Sequence, residues 1–129
     1  MKRSSLIAAV LLAALPAFAG QALADGDAVK GKKVFNKCKA CHFVDKEKKK
    51  LGPHLVGLFG RTAGMVEGFK YSTAMKDSGI VWSKETLESF IAKPKSAVPG
   101  TKMAFAGIKK ESQLEDLLAY LEEATKKPE

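Results

Sequence analysis

Residues 38–42 read Cys38-Lys39-Ala40-Cys41-His42. Two thiols three positions apart on one helical turn project the same way. A pair so placed can add to the two vinyl groups of one haem, and the histidine next in sequence then brings an imidazole nitrogen under the iron. This is the c-type haem attachment pattern. A thioredoxin-like dithiol would use the same cysteines, but in a βαβ context that this chain lacks. A zinc site would have to draw on Cys38, Cys41, His42 and His54, with almost no chain to fold round the ion. A structural disulfide leaves His42 unexplained.

Upstream of the motif, Asp27 can cap a helix in which Ala28, Gly31, Val34, Phe35 and Cys38 share one face. Lys30, Lys32, Lys33, Lys37 and Lys39 fill the other faces. Gly31 inside this helix costs about 1 kcal/mol relative to Ala, so it predicts the close approach of another element. Further upstream, Lys2 and Arg3 precede the apolar run Leu6–Leu15, Pro16 breaks it, and Ala22-Leu23-Ala24 offers a small-x-small cleavage pattern. Residues 1–24 therefore read as a cleaved signal peptide and 25–129 as the mature domain. An uncleaved membrane anchor is the other reading of so short an apolar run.

Downstream, Lys48-Lys49-Lys50, Gly52-Pro53, Gly57, Gly60, Gly64 and Gly68 interrupt any regular element between Lys46 and Gly68. So long an irregular stretch is expected in a small domain only where it wraps a ligand. Ser72 can cap a short helix ending at Gly79, and Ser83 the next, with Leu87, Phe90 and Ile91 on one face until Lys93-Pro94 stops it. The last helix carries a capping-box pattern at Ser112-x-x-Glu115 and an apolar stripe of Leu114, Leu117, Leu118, Leu121 and Ala124. The fold class is all-α.

The 129 residues are 46% hydrophobic and 28% charged, a globular composition for one small domain. Two cysteines exclude a disulfide-dense mini-protein. No apolar run reaches the ~18 residues of a membrane span, which excludes a multi-span protein. Removing Lys2 and Arg3 lowers the formal net charge from +8 to +6. Export argues against nucleic acid as the partner of this basic surface and for something acidic outside the cytoplasm.

Haem iron in an electron carrier needs a sixth ligand. His54 lies only twelve positions after His42, in the Gly52-Pro53 loop, and suits a surface or propionate-side position better. Met65, Met75 and Met103 are the methionines of the mature chain. Met103 follows Pro99-Gly100-Thr101-Lys102, a turn sequence able to present a side chain inward. Met65 and Met75 stand in glycine-rich or helical surroundings, where methionine more often fills core.

Over nearly its whole mature length the chain resembles the class I cytochromes c, both mitochondrial cytochrome c and bacterial cytochrome c2. The resemblance rests on Gly31-Lys32-Lys33-Val34-Phe35, Cys38–His42, Gly52-Pro53, Leu58-Phe59-Gly60-Arg61, Gly68-Phe69-Lys70-Tyr71 and Gly79-Ile80-Val81-Trp82. The runs Pro99–Lys109 and Glu115–Leu121 are the most specific.

What the resemblance implies is a class I fold in which N- and C-terminal helices cross, Gly31 and Phe35 against Leu117 and Tyr120. Short helices and loops wrap one haem c bound covalently through Cys38 and Cys41. His42 and Met103 would be the iron ligands, and the Pro53 carbonyl would accept the His42 Nδ1–H. Tyr71 and Trp82 would donate to a buried propionate, with Arg61 as a nearby compensating charge and Thr101 as a second donor. Phe90 replaces a tyrosine, and Met75 an asparagine, that many relatives use in a hydrogen-bond network around the methionine sulfur. Lys37, Lys95 and Lys102 match a ring around the haem edge.

The implied protein is a soluble, monomeric periplasmic one-electron carrier, not an enzyme. Its partners would be acidic faces of redox proteins, such as a cytochrome bc1 complex, terminal oxidase, reaction centre or periplasmic dehydrogenase. No nucleic acid and no stable membrane insertion are expected. A haem peroxidase or gas-binding cytochrome with a displaceable methionine is the alternative.

Overall fold

A computed structural model describes residues 26–129; the expected signal peptide, residues 1–24, lies outside the described residues. Asp27 starts the first helix as its position predicts. Its carboxylate accepts the backbone N–H groups of Val29 and Lys30 at 2.9 and 3.1 Å, and α1 runs Ala28–Val34. The chain then tightens into a 3-10 turn, Phe35–Lys37, so the face expected to continue through Cys38 changes pitch just before the motif.

Helix α1 crosses the C-terminal helix at Gly31. A Cβ there would overlap the Asp116 carbonyl and lie 2.7 Å from Tyr120 Cβ, which accounts for the glycine. Around that crossing the Phe35 and Tyr120 rings pack at 5.4 Å, and the Asp116 carboxylate accepts the Asp27 N–H at 2.7 Å. The facing side of the C-terminal helix buries Leu114, Leu117, Leu118 and Leu121, as the stripe predicts.

Between the crossing helices lie α2 (Thr73–Asp77), α3 (Lys84–Ala92) and α4 (Pro94–Ala97), with α5 (Glu111–Ala124) closing the chain. Ser72 caps α2 through the Met75 N–H at 3.0 Å. Ser83 and Thr86 form a reciprocal capping box on α3, with bonds of 3.2 and 2.8 Å.

Two expectations are corrected here. The box expected at Ser112–Glu115 does not form: α5 begins at Glu111, with Lys110 at the N-cap and no side-chain bond to it. Ser112 is thus already inside the first turn, where its hydroxyl no longer faces the free N–H groups. Pro94 does end α3, but it also opens α4 from the first helical position, where its missing N–H costs nothing.

Residues 46–68 form no helix. Among the described residues strand pairing is limited to one isolated antiparallel bridge, Thr62–Val81. Bonds from Trp82 N–H to Arg61 O (2.9 Å), Gly60 N–H to Trp82 O (2.8 Å) and Ala63 N–H to Ile80 O (2.7 Å) flank it. One continuous apolar cluster runs from Phe35 through Leu58, Trp82, Leu87, Phe90 and Ile91 to the α5 leucines. No helix among the described residues is long and apolar enough to cross a membrane.

Candidate functional site

The motif occupies one turn that continues the 3-10 segment. Cys38 N–H donates to Phe35 O at 2.8 Å, and the Cys41 and His42 N–H groups both donate to Cys38 O at 3.0 Å. The two cysteines are free and partly buried. Burial, and then the neighbouring Cys41, push the Cys38 thiol up to about 11, so it stays protonated at neutral pH.

His42 is held from behind. Its Nδ1 lies 2.7 Å from Pro53 O, and because a carbonyl only accepts, the proton is on Nδ1. Burial, reinforced by Arg61 and Lys50, lowers the His42 pKa despite the Pro53 bond, so the ring is neutral and Nε2 keeps its lone pair. A neutral imidazole with a fixed tautomer beside two free thiols is the donor set that haem c attachment requires; the residues fit the group.

Gly52 makes this wall possible, and sequence reasoning did not assign it that part. A Cβ on Gly52 would sit 2.5 Å from His42 Cε1 and 2.8 Å from Nδ1. Its N–H donates to Cys41 O at 2.9 Å, so the loop doubles back directly over the motif. The readable signal was a glycine immediately before Pro53.

Arg61, Tyr71 and Trp82 converge from three segments. The backbone bridge sets Arg61 beside Trp82. The Arg61 guanidinium donates to the carbonyls of Val56 (3.0 Å) and His54 (3.1 Å), an anchoring that the sequence did not suggest. Burial lowers the Arg61 pKa and raises that of Tyr71, and each group partly offsets the other's shift electrostatically. The Tyr71 hydroxyl accepts the Val66 N–H at 3.2 Å, which leaves its own proton to donate. Trp82 is 7% exposed and its ring lies 5.2 Å from that of Phe90.

Met103 sits on an irregular strap between buried Val98 and buried Ile108. From Thr101 to Gly107 partly buried and exposed residues alternate strictly, the signature of an extended chain. Met103 and Phe105 point inward and pack against the core, while Lys102 and Ala104 point out. Thr101 Oγ1 accepts the Met103 N–H at 3.3 Å.

The remaining candidates are placed differently. Met75 is buried in the apolar cluster with Phe90 and Trp82, and Met65 is 69% exposed. His54 accepts the Val56 N–H on Nδ1 at 3.2 Å and lines a surface groove with Phe59, Arg61 and Met65. That groove includes none of Cys38, Cys41, His42 or Met103. Lys37 and Lys95 are exposed; Lys102 is exposed but bonded to Lys70 O at 3.2 Å.

Comparison with known proteins agrees with this arrangement. The cytochrome c family model matches residues 28–125. A cytochrome c-550 of Nitrobacter winogradskyi is 53% identical over 102 residues, covering 78% of this chain and 94% of the relative. A cytochrome c type-1 of Ascaris suum is 51% identical over 105 residues, covering 81% and 94%. In structure, cytochrome cH from Methylobacterium extorquens superposes with a TM-score of 0.72 at 44% identity, covering 76% of this chain and 99% of that one. With one Cys-x-x-Cys-His motif and a match over nearly all described residues, the chain belongs to the cytochrome c family of electron carriers, and its cofactor is a covalently bound haem c attached at Cys38 and Cys41.

Proposed function

We propose that His42 and Met103 are the two axial ligands of a single haem iron, and that the protein carries one electron at a time between redox complexes in the periplasm. The observation that carries this reading is the pairing of a histidine locked through Nδ1 to Pro53 with a strap whose alternation turns Met103 inward. The haem supplies the Fe(II)/Fe(III) couple. Pro53 holds the ring of His42 so that Nε2 is offered as a base of constant orientation. Met103 offers a neutral thioether, which favours Fe(II) over Fe(III) and raises the reduction potential relative to a second histidine.

Tyr71, Trp82 and Thr101 supply donors for propionates, and Arg61 supplies the nearby positive charge. A buried carboxylate without such partners would cost several kcal/mol. With His42 and Met103 both on the iron, no coordination position would be left for a substrate, which sets this reading against a peroxidase or gas sensor. Export by the 1–24 segment places the carrier in the periplasm. The exposed Lys37 and Lys95 favour acidic partners through long-range attraction, as a bc1 complex, terminal oxidase, reaction centre or dehydrogenase would present.

The test is the ferric spectrum and potential of the holoprotein beside Met103→Ala. The parent should show the far-red band of sulfur on iron. The variant should lose it, bind external ligands and fall in potential by on the order of a tenth of the ~0.8 V that axial ligands span. A parent without the band would refute Met103 ligation.

A further inference from the structure

Lys50 ends the exposed run Lys48-Lys49-Lys50, yet its ammonium is engaged twice. It donates to the backbone carbonyl of Lys39 at 2.8 Å, and it lies 4.0 Å from the centroid of the Phe43 ring. Lys39 is inside the Cys38–His42 motif and Phe43 follows it directly, so the two contacts bracket His42. The neighbouring lysines are placed differently. Lys49 donates to Gly68 O at 3.3 Å on another segment, and Lys46 stands 5.5 Å from the same ring centroid.

The bond to Lys39 completes the hydrogen bonding of the attachment turn. Cys38 O accepts the Cys41 and His42 N–H groups, Cys41 O accepts the Gly52 N–H at 2.9 Å, and Lys39 O accepts the ammonium. The backbone of Lys50 takes part as well, donating its N–H to Gly52 O at 3.1 Å. Gly52 is therefore bonded at both ends, to the motif through its N–H and to Lys50 through its carbonyl. This is the glycine whose backbone lies so close to the His42 ring that a Cβ would sit 2.5 Å from Cε1. Farther on, the Leu55 N–H donates to Phe43 O at 2.8 Å and fixes the far end of the same loop. The side chain of Lys50 draws the loop onto the motif, and its backbone hands that restraint to Gly52.

We infer that Lys50 is a positioning residue for His42: a two-point latch, on Lys39 O and the Phe43 ring, that keeps the loop and Gly52 closed over the His42–Pro53 bond. The inference rests on the reading of His42 as an iron ligand and goes beyond it by naming what keeps water from its Nδ1 proton. Both contacts are exposed, and ammonium–carbonyl and ammonium–ring contacts at such sites have modest net strength. The effect expected is severalfold.

The experiment follows exchange of the His42 Nδ1 proton with solvent by proton NMR of the ferrous holoprotein. Lys50→Met should speed that exchange about three- to tenfold by letting the loop open more often. Base catalyses such exchange and a nearby cation attracts base, so loss of charge alone would slow it. Lys50→Arg keeps a cationic donor that can lie on the ring and should stay near the parent. Phe43→Leu should give a smaller increase in the same direction, and Lys48→Met none. Stopped-flow binding at saturating imidazole, whose limiting rate reports departure of Met103, should be parental in all four variants.

A parental exchange rate in Lys50→Met overturns the latch, and a parental rate in Phe43→Leu overturns its second point. Equal increases in Lys50→Met and Lys48→Met, or a raised imidazole rate in Lys50→Met, would mean general loosening and overturn it too. The ferric spectrum of the parent separates the two readings. His42 ring protons without the large shifts of a ring on paramagnetic iron remove His42 ligation itself, whereas those shifts with unchanged exchange remove only the latch.

Discussion

The His42 wall and the Met103 strap, the two sides of the proposed haem site, are held in different ways. On the His42 side the ring is bonded to Pro53 O, Gly52 N–H is bonded to Cys41 O, and the glycine backbone lies so close that no Cβ fits. Two covalent attachment points at Cys38 and Cys41 precede it by four residues and one. On the Met103 side, nine residues without regular structure span from 99 to 107; among the described residues their hydrogen bonds stay local apart from the bond of the exposed Lys102 to Lys70 O. The difference predicts which ligand moves. Exchange should begin at the sulfur while His42 stays bound, and the lower local stability of the strap is where a carrier of this kind can adjust without losing its haem.

The largest expected effect is one that would break the comparison by moving the sulfur elsewhere. Met75 is the rival thioether, 8% exposed and packed in the cluster with Trp82 and Phe90. Met75→Ala should cost about 2–5 kcal/mol of stability through lost burial and the cavity left behind. It should leave the far-red band in place. Urea unfolding of the ferric holoprotein gives the first quantity and its spectrum the second. Loss of the band with the fold intact would place the ligand on the rigid floor and dissolve the contrast between wall and strap.

A smaller effect would sharpen the contrast from the other side. Gly52→Ala introduces a Cβ 2.5 Å from His42 Cε1, and either the ring or the loop must shift. Overpacking of this kind costs about 1–3 kcal/mol. Since the ring is what Pro53 orients, the change should also disturb the haem spectrum, whereas Gly60→Ala, with no atom within 4 Å of its Cβ, should leave the spectrum unchanged. Gly60 has φ +86°, so that control carries its own backbone cost and is read by spectrum rather than stability. Equal spectra for Gly52→Ala and parent would show that the wall is looser than its geometry suggests.

The two sides were also unequally legible. Cys38, Cys41, His42 and the caps at Asp27, Ser72 and Ser83 follow from local chemistry, where one side chain meets a backbone a few residues away. Gly31 was readable as a close approach because a glycine inside a helix has a cost that something must justify. What escaped depended on distant chain. The start of α5 was misplaced because a Ser-x-x-Glu pattern does not reveal that the backbone already turns at Glu111. The Arg61 bonds to the His54 and Val56 carbonyls, and the Lys102 bond to Lys70, join side chains to backbone atoms, which carry no residue identity and leave no trace in sequence. Phe90 and Met75 stood out only by resemblance; their burial beside Trp82 is a property of the fold.

The smallest effect probes the strap from within. Thr101 Oγ1 accepts the Met103 N–H at 3.3 Å, a long bond near the upper limit for N–H to O, at a partly exposed turn. Its loss should cost less than about 1 kcal/mol, because water can replace the acceptor. Thr101→Val keeps the shape and removes the oxygen, and Thr101→Ser keeps the oxygen. If the strap relies on its own turn to set the sulfur, the Val variant should exchange imidazole about two- to threefold faster than the parent, and the Ser variant should match the parent. If the Lys102 bond to Lys70 O dominates, both should match it, while Lys102→Met alone is fast. Thr101→Val combined with Lys102→Met then decides whether the two restraints act independently: fold-increases that multiply mean separate restraints, and a combined rate no faster than Lys102→Met alone means that the turn holds only while the Lys102–Lys70 bond is made.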